Sequence, residues 1–176
     1  MKQSNSLNAI LTTSNSQLEK LIIITVTLCF VAGCNRQAFI QNAVSMRPTI
    51  QLNEKVNVDK AAYTSKQPQR WDVILFRPPQ KFEGVWTFRI VGMPGETVSF
   101  SESGLLIDGR APAVPPSLAH LKYTSAPQTQ PPSPLLPFTI PADSYFVLGD
   151  DSSIANDSRM WGPVKKNQII GKVLDK

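Results

Sequence analysis

Ser45-Met46-Arg47-Pro48-Thr49 sets a serine in a turn ahead of a Met-x-Pro step. Turns favour serine for backbone reasons alone, so any chemistry at Ser45 depends on what the fold brings to it. The chain has a single histidine, His120, and a Ser-His-Asp triad could run only through it. His120 lies in a proline-rich stretch, where a base is poorly held, and it reads as a solvated surface residue. One histidine with two cysteines, Cys29 and Cys34, supplies neither a zinc ligand set nor a disulfide scaffold for 176 residues. No metal and no cofactor is expected. The 18 Lys plus Arg and 13 Asp plus Glu leave a net charge of +5 with no basic run. That balance speaks against nucleic acid and weakly for an anionic membrane surface.

The elements that must position these residues begin after an apolar segment. Leu21 to Ala32 carries no charge, and at 1.5 Å per residue spans about 18 Å, short of the roughly 30 Å core of a bilayer. A charged leader, a short apolar run and a small-residue end describe an export signal over residues 1–33. Val31-Ala32-Gly33-Cys34 resembles a bacterial lipobox, in which the chain is cut before the cysteine and its thiol is lipidated. A lipoprotein signal, a retained short anchor and an ordinary signal peptide are the three readings. Each places residues 34–176 outside the cytoplasm, at or near a membrane.

From Ala38 onward the apolar runs are short, β-branched or aromatic, and separated by turn residues. Val56-Asn57-Val58, Asp72 to Phe76, Trp86 to Val91, Thr97 to Phe100, Tyr145 to Leu148 and Ile169 to Val173 read as strands. Leu105-Leu106-Ile107 runs into Asp108-Gly109, a hairpin signal. No helical period persists, so an all-β domain with a partly closed, barrel-like sheet is expected. Nine of the fifteen prolines fall in residues 112–141, which predicts a long extended surface loop of polyproline character.

Three stretches recur in a telling order: Ser45 to Thr49, Arg89-Ile90-Val91-Gly92-Met93-Pro94-Gly95-Glu96, and Gly149-Asp150-Asp151 followed by Asp157-Ser158-Arg159 and Trp161-Gly162. In this order and spacing they resemble the signature boxes of bacterial type I signal peptidases. The resemblance runs over about residues 38 to 174 and implies an all-β fold. It also implies a serine endopeptidase acting on exported preproteins, with a lysine as general base. By position Ser45 is then the nucleophile, and its own N–H an oxyanion donor. Met46, Pro48, Arg89 and Asp150 support the site, and Asp157 and Arg159 are the acidic and basic pair that braces it.

Two positions depart from the family pattern. Phe88 stands where the lysine base is expected, and Ala155 stands where a serine would hydrogen-bond that lysine. The two changes suit each other, since each removes the polar partner of the other. Arg89 cannot replace the base because guanidinium stays protonated. Lys81 is the nearest lysine in sequence, and Lys122, Lys165 and Lys166 have no better claim. Two functions follow from the resemblance: membrane-tethered cleavage of signal peptides, or a non-catalytic relative that binds extended, signal-like peptides along a sheet edge. A self-cleaving repressor-type domain lacks a preceding helix-turn-helix, and a purely structural lipoprotein leaves the Ser45 box without a purpose.

Overall fold

The computed structural model describes residues 35–79, 82–125, 136–174 and 176. The segment expected to be an export signal, residues 1–33, lies outside these residues, as do Cys34 and Lys81. The chain divides into two compact units, Met1–Arg36 and Gln37–Lys176, and the second carries the sheets and the site. Among the described residues no helix is long and apolar enough to cross a membrane.

Among the described residues ten strands form in chain order: β1 Arg36–Ile40, β2 Lys55–Asp59, β3 Val73–Phe76, β4 Trp86–Gly92, β5 Thr97–Ser101, β6 Gly104–Ile107, β7 Phe138–Thr139, β8 Ser144–Leu148, β9 Val164–Lys165 and β10 Ile169–Val173. A four-residue helix, α1, covers Ser158–Trp161. Seven strands build one curled half-barrel sheet in the order β1-β2-β10-β3-β4-β8-β9, and β6-β5-β7 form a second. The fold is all-β, as the short branched runs predict.

Burial explains why some runs alternate and others do not. β2 alternates exposed and buried residues, because one face meets water. β3, β4 and β8 are buried almost throughout, since cores lie on both faces of this part of the sheet. Tyr145 and Val147 of β8 enter a cluster with Met46, Ile50, Phe76, Phe88 and Ala155. Phe146 and Leu148 enter the other, with Val91, Val98, Leu105, Tyr123 and Ile140. The strand's period of two therefore feeds two cores.

The described parts of the proline-rich stretch, 112–125 and 136–141, keep the loop expected of them over most of their length and add three ordered features. Pro116–Leu118 makes one 3-10 turn, Phe138–Thr139 pairs with β5, and Tyr123 and Ile140 are buried. Prolines force extended backbone on their neighbours, and that backbone suits a short edge pairing as well as a solvated loop. The apolar residues between the prolines decide the matter by packing onto the second core. Asp108-Gly109 forms its tight turn with positive φ at both residues. It closes only the single bridge Ile107–Arg110, and the chain then turns away at Pro112.

Candidate active site

Ser45 sits at the head of a turn closed by Arg47 N–H donating to Val44 O at 3.0 Å, and Ile50 N–H donates to Met46 O at 2.9 Å. Met46 and Ile50 have no exposed surface and fasten this turn to the first core. Pro48 is exposed, and with Thr49, Trp71 and His120 it lines a separate hollow. The Ser45 carbonyl accepts Asp151 N–H at 3.0 Å, so the turn is tied to the segment after β8. Gly149 lies at that junction. A Cβ there would stand 2.4 Å from Ala155 Cβ, 2.6 Å from Ser45 O and 3.2 Å from Phe88 Cε1, so only glycine fits. The same contacts show that the fold gathers Ser45, Phe88 and Ala155 around one point.

No base occupies that point. Phe88 is 3% exposed, and its ring meets Phe76 at 6.0 Å, Trp86 at 6.1 Å edge-on and Trp161 at 6.4 Å stacked. Among the described residues, no side chain hydrogen-bonds Ser45 Oγ. Lys172 pairs with Asp72 at 2.6 Å and Lys176 with Glu54, while Lys122 and Lys165 are exposed and Lys166 is half-buried elsewhere.

Two buried ion pairs brace the surroundings. Arg89 follows Phe88 on β4 and points to the opposite face. There its Nε donates to Asp150 Oδ1 at 2.9 Å and its Nη2 to Oδ2 at 2.6 Å, a bidentate fork. Arg89 Nη1 also donates to Trp71 O, the Thr49 hydroxyl donates to Asp150 Oδ2, and Tyr123 OH donates to Asp150 Oδ1 at 2.7 Å. Burial works against the Arg89 charge, but the hydrogen bonds and charge of Asp150 outweigh it and raise the guanidinium above its ordinary value. Burial, then the negative charge of Asp150, pushes the Tyr123 phenol well above its usual range.

The second pair is local. Asp157 caps α1, and its Oδ1 accepts Arg159 N–H and Arg159 Nε while its Oδ2 accepts Arg159 Nη2 at 2.8 Å and Gly149 N–H at 3.1 Å. Through Gly149 this carboxylate holds the strand end that touches the Ser45 carbonyl. Arg159 spends its other donors on Thr124 O, Ser152 Oγ and Ser152 O. Burial pushes the Asp157 carboxyl above the usual carboxylate range, against the pull of Arg159 and two backbone N–H groups.

A cleft of about 270 Å³ opens beside Ser45, between Gln41, Asn42 and Ala43 on one side and Trp86, Thr87 and Phe88 on the other, with Ile154 and Asn156 at its end. One wall is a free sheet edge. Along β4, β8 pairs with Arg89–Gly92, so among the described residues no strand lies beside the edge of Trp86–Phe88 away from β3. Ile90 N–H and C=O bond to Asp72 and Trp71 on the β3 side. Antiparallel alternation then turns Thr87 N–H and C=O the other way, into the cleft.

Sequence reasoning identified Ser45, Phe88 and Ala155 as neighbours and named Arg89, Asp150, Asp157 and Arg159. It missed Tyr123, Gln41 and Thr87. Tyr123 carried no signal, because it lies among prolines and 27 residues from Asp150. Thr87 had a faint one, as a polar residue between the aromatic Trp86 and Phe88.

Comparison with known proteins gives the family. A family described as signal peptidase, peptidase S26, matches residues 15–174. Signal peptidase I V of Bacillus subtilis (strain 168) is 34% identical over 137 residues, covering 75% of this chain and 80% of that protein. Signal peptidase I of Leptolyngbya laminosa is 31% identical over 162 residues, covering 85% and 75%. A solved signal peptidase I from Enterococcus faecalis V583 shares 31% identity at a TM-score of 0.48, covering 61% of this chain and 97% of that one. The chain spans between 56% and 80% of the length of the first three curated relatives it matches. With the family match running over nearly the whole sequence, the chain belongs to the signal peptidase family, peptidase S26.

Proposed function

We propose that this domain holds extended, signal-like peptides of exported preproteins in the Ser45 cleft, by strand addition to the free edge of β4, and does not cut them by itself. The single observation that carries this reading is the Phe88 ring, packed among Phe76, Trp86 and Trp161 with Ala155 alongside. A serine hydroxyl becomes a nucleophile when a neighbouring base takes its proton, and neither an aromatic ring nor a methyl group can accept one. The family's own role, cleavage of signal peptides, keeps one observation in its favour. The Ser45 turn is pinned at Met46, Ile50 and Asp151 as a nucleophile's turn needs to be. A base supplied by a partner subunit would complete it. Membrane tethering is part of the proposal: a lipidated Cys34 would hold Ser45 within eleven residues of the bilayer, at most about 36–40 Å of extended chain, and a retained segment 21–32 would tether it from slightly further up the chain.

The test is incubation of the full chain, in detergent, with a preprotein and with a serine-acylating probe. Neither cleavage nor labelling of Ser45 is expected. Phe88→Lys alone stays poorly active, because its amine lacks a hydroxyl partner and sits in a ring-shaped pocket. Phe88→Lys with Ala155→Ser gains more than the two single changes together. Cleavage by the unaltered chain at a rate that Phe88→Lys leaves unchanged would sink the proposal.

A further inference from the structure

The floor of the cleft is polar. Gln41 and Thr87 are each 3% exposed, and Thr87 Oγ1 donates to Gln41 Oε1 at 2.7 Å across a gap of 46 residues. Gln41 Nε2 donates to Ala43 O at 3.0 Å. The glutamine is held firmly from behind, since its N–H donates to Glu54 O at 2.9 Å and its carbonyl accepts Asn53 N–H at 2.7 Å. A primary amide offers two N–H donors and two acceptor sites, and a hydroxyl one donor and two acceptor sites. After the bonds above, one Nε2–H, one site on Oε1 and the lone pairs of Thr87 Oγ1 remain for a ligand.

Strand addition decides which ligand group meets them. A peptide paired with β4 places the residue directly opposite Thr87 on the same face as the Thr87 side chain. That residue's side chain therefore comes down on the Gln41–Thr87 pair, while its neighbours face away. An alanine fits, but it covers a donor and acceptor sites and gives them nothing. A short hydroxyl side chain fits and bonds to both.

We infer that Gln41 and Thr87 are specificity-determining residues that select peptides with serine, in preference to alanine, opposite Thr87. This rests on the peptide-holding reading above. The probe is a set of fluorescein-labelled ten-residue peptides of alternating Val and Ala, in which each Ala is replaced by Ser in turn. Binding to the full chain in detergent is read by anisotropy. One position should tighten binding about fivefold, the factor of a single neutral hydrogen bond. Thr87→Val, which preserves shape, and Gln41→Leu should each erase that gain. Because the readout is a ratio between two peptides on one protein sample, partial unfolding of a variant does not imitate it. Equal binding of all the peptides, or a serine preference that survives in both variants, overturns the inference and leaves peptide holding intact. Failure of every peptide to bind overturns both.

Discussion

Adjacent residues on β4 meet opposite surroundings. Arg89 faces a polar network: it donates to Asp150, the Thr49 hydroxyl and the Trp71 carbonyl, and Tyr123 OH donates to the same Asp150. Phe88 faces rings and a methyl group, and among the described residues no side chain hydrogen-bonds Ser45 Oγ. The polar region ties five distant stretches of chain together, and it is complete without any group at the Phe88 position. The apolar region, built around the Phe88 ring, is equally complete without a polar partner. The framework that shapes the cleft and the pocket that would host a base are therefore separable, and a peptide site can persist where a catalytic dyad does not.

The largest effect expected from breaking this comparison is at the polar side. Arg159→Ala strands Asp157 in the interior and frees the carbonyls of Ser152 and Thr124. Removing one partner of a buried ion pair costs about 3–5 kcal/mol, roughly 10 °C in melting temperature for a domain of this size. Phe88→Leu, which keeps the apolar pocket apolar, should cost under about 1.5 kcal/mol. Thermal melts of the two variants decide it. An Arg159→Ala shift smaller than that of Phe88→Leu would mean that the framework does not hold the fold.

Tyr123→Phe should have a middling effect, because Arg89 still satisfies Asp150 after the phenol is gone. A hydrogen bond to a charged group is worth about 1.5–3 kcal/mol, and part of this is recovered by the guanidinium. The pH dependence follows from the raised phenol. In the unfolded chain Tyr123 ionises near pH 10, while in the folded chain it stays neutral at that pH. A group raised in the folded state adds stability below its unfolded value and loses it as pH rises, so the domain should weaken above about pH 10. Tyr63, raised by burial and by Asp72, contributes in the same direction. Denaturant melts between pH 8 and 11 should show the alkaline loss reduced, not abolished, in Tyr123→Phe. An unchanged slope would place the phenol outside the network.

How much of this was legible in the sequence depends on range. The strands β2, β3, β4, β8 and β10 were readable because branched and aromatic residues alternate or run together over four or more positions. β7 and β9 are two residues each, too short for any period, and β1 is mostly exposed, so none of the three carries an apolar stripe. Asp157 and Arg159 stand two residues apart and were readable as a pair. Arg89 and Asp150 stand 61 residues apart, and their fork appears only once β4 and β8 are aligned. The Gln41–Thr87 bond is the clearest case of what periodicity cannot carry. Nothing in either residue's neighbourhood says that a loop glutamine is buried, and only the fold brings it to the strand.

The smallest effect expected is at an exposed pair, and it sharpens the contrast with Arg159. Lys176 Nζ lies 2.5 Å from Glu54 Oε1, with both side chains about a quarter exposed. Exposed pairs contribute about 0–1 kcal/mol and are screened by salt. The Glu54 carboxyl is held below the usual range first by Gln51 N–H, which donates to Oε2 at 2.8 Å, and only then by Lys176. Lys176→Ala should therefore shift the melting temperature by no more than about 2 °C, while Glu54→Ala, which also removes the acceptor of Gln51, should shift it further. A lowered carboxyl adds stability above its unfolded value and loses it as pH falls through its folded one, so the Glu54→Ala difference should fade in acid below about pH 4. If Lys176→Ala matches Arg159→Ala in size, burial is not what separates the two kinds of pair, and the contrast between framework and surface fails.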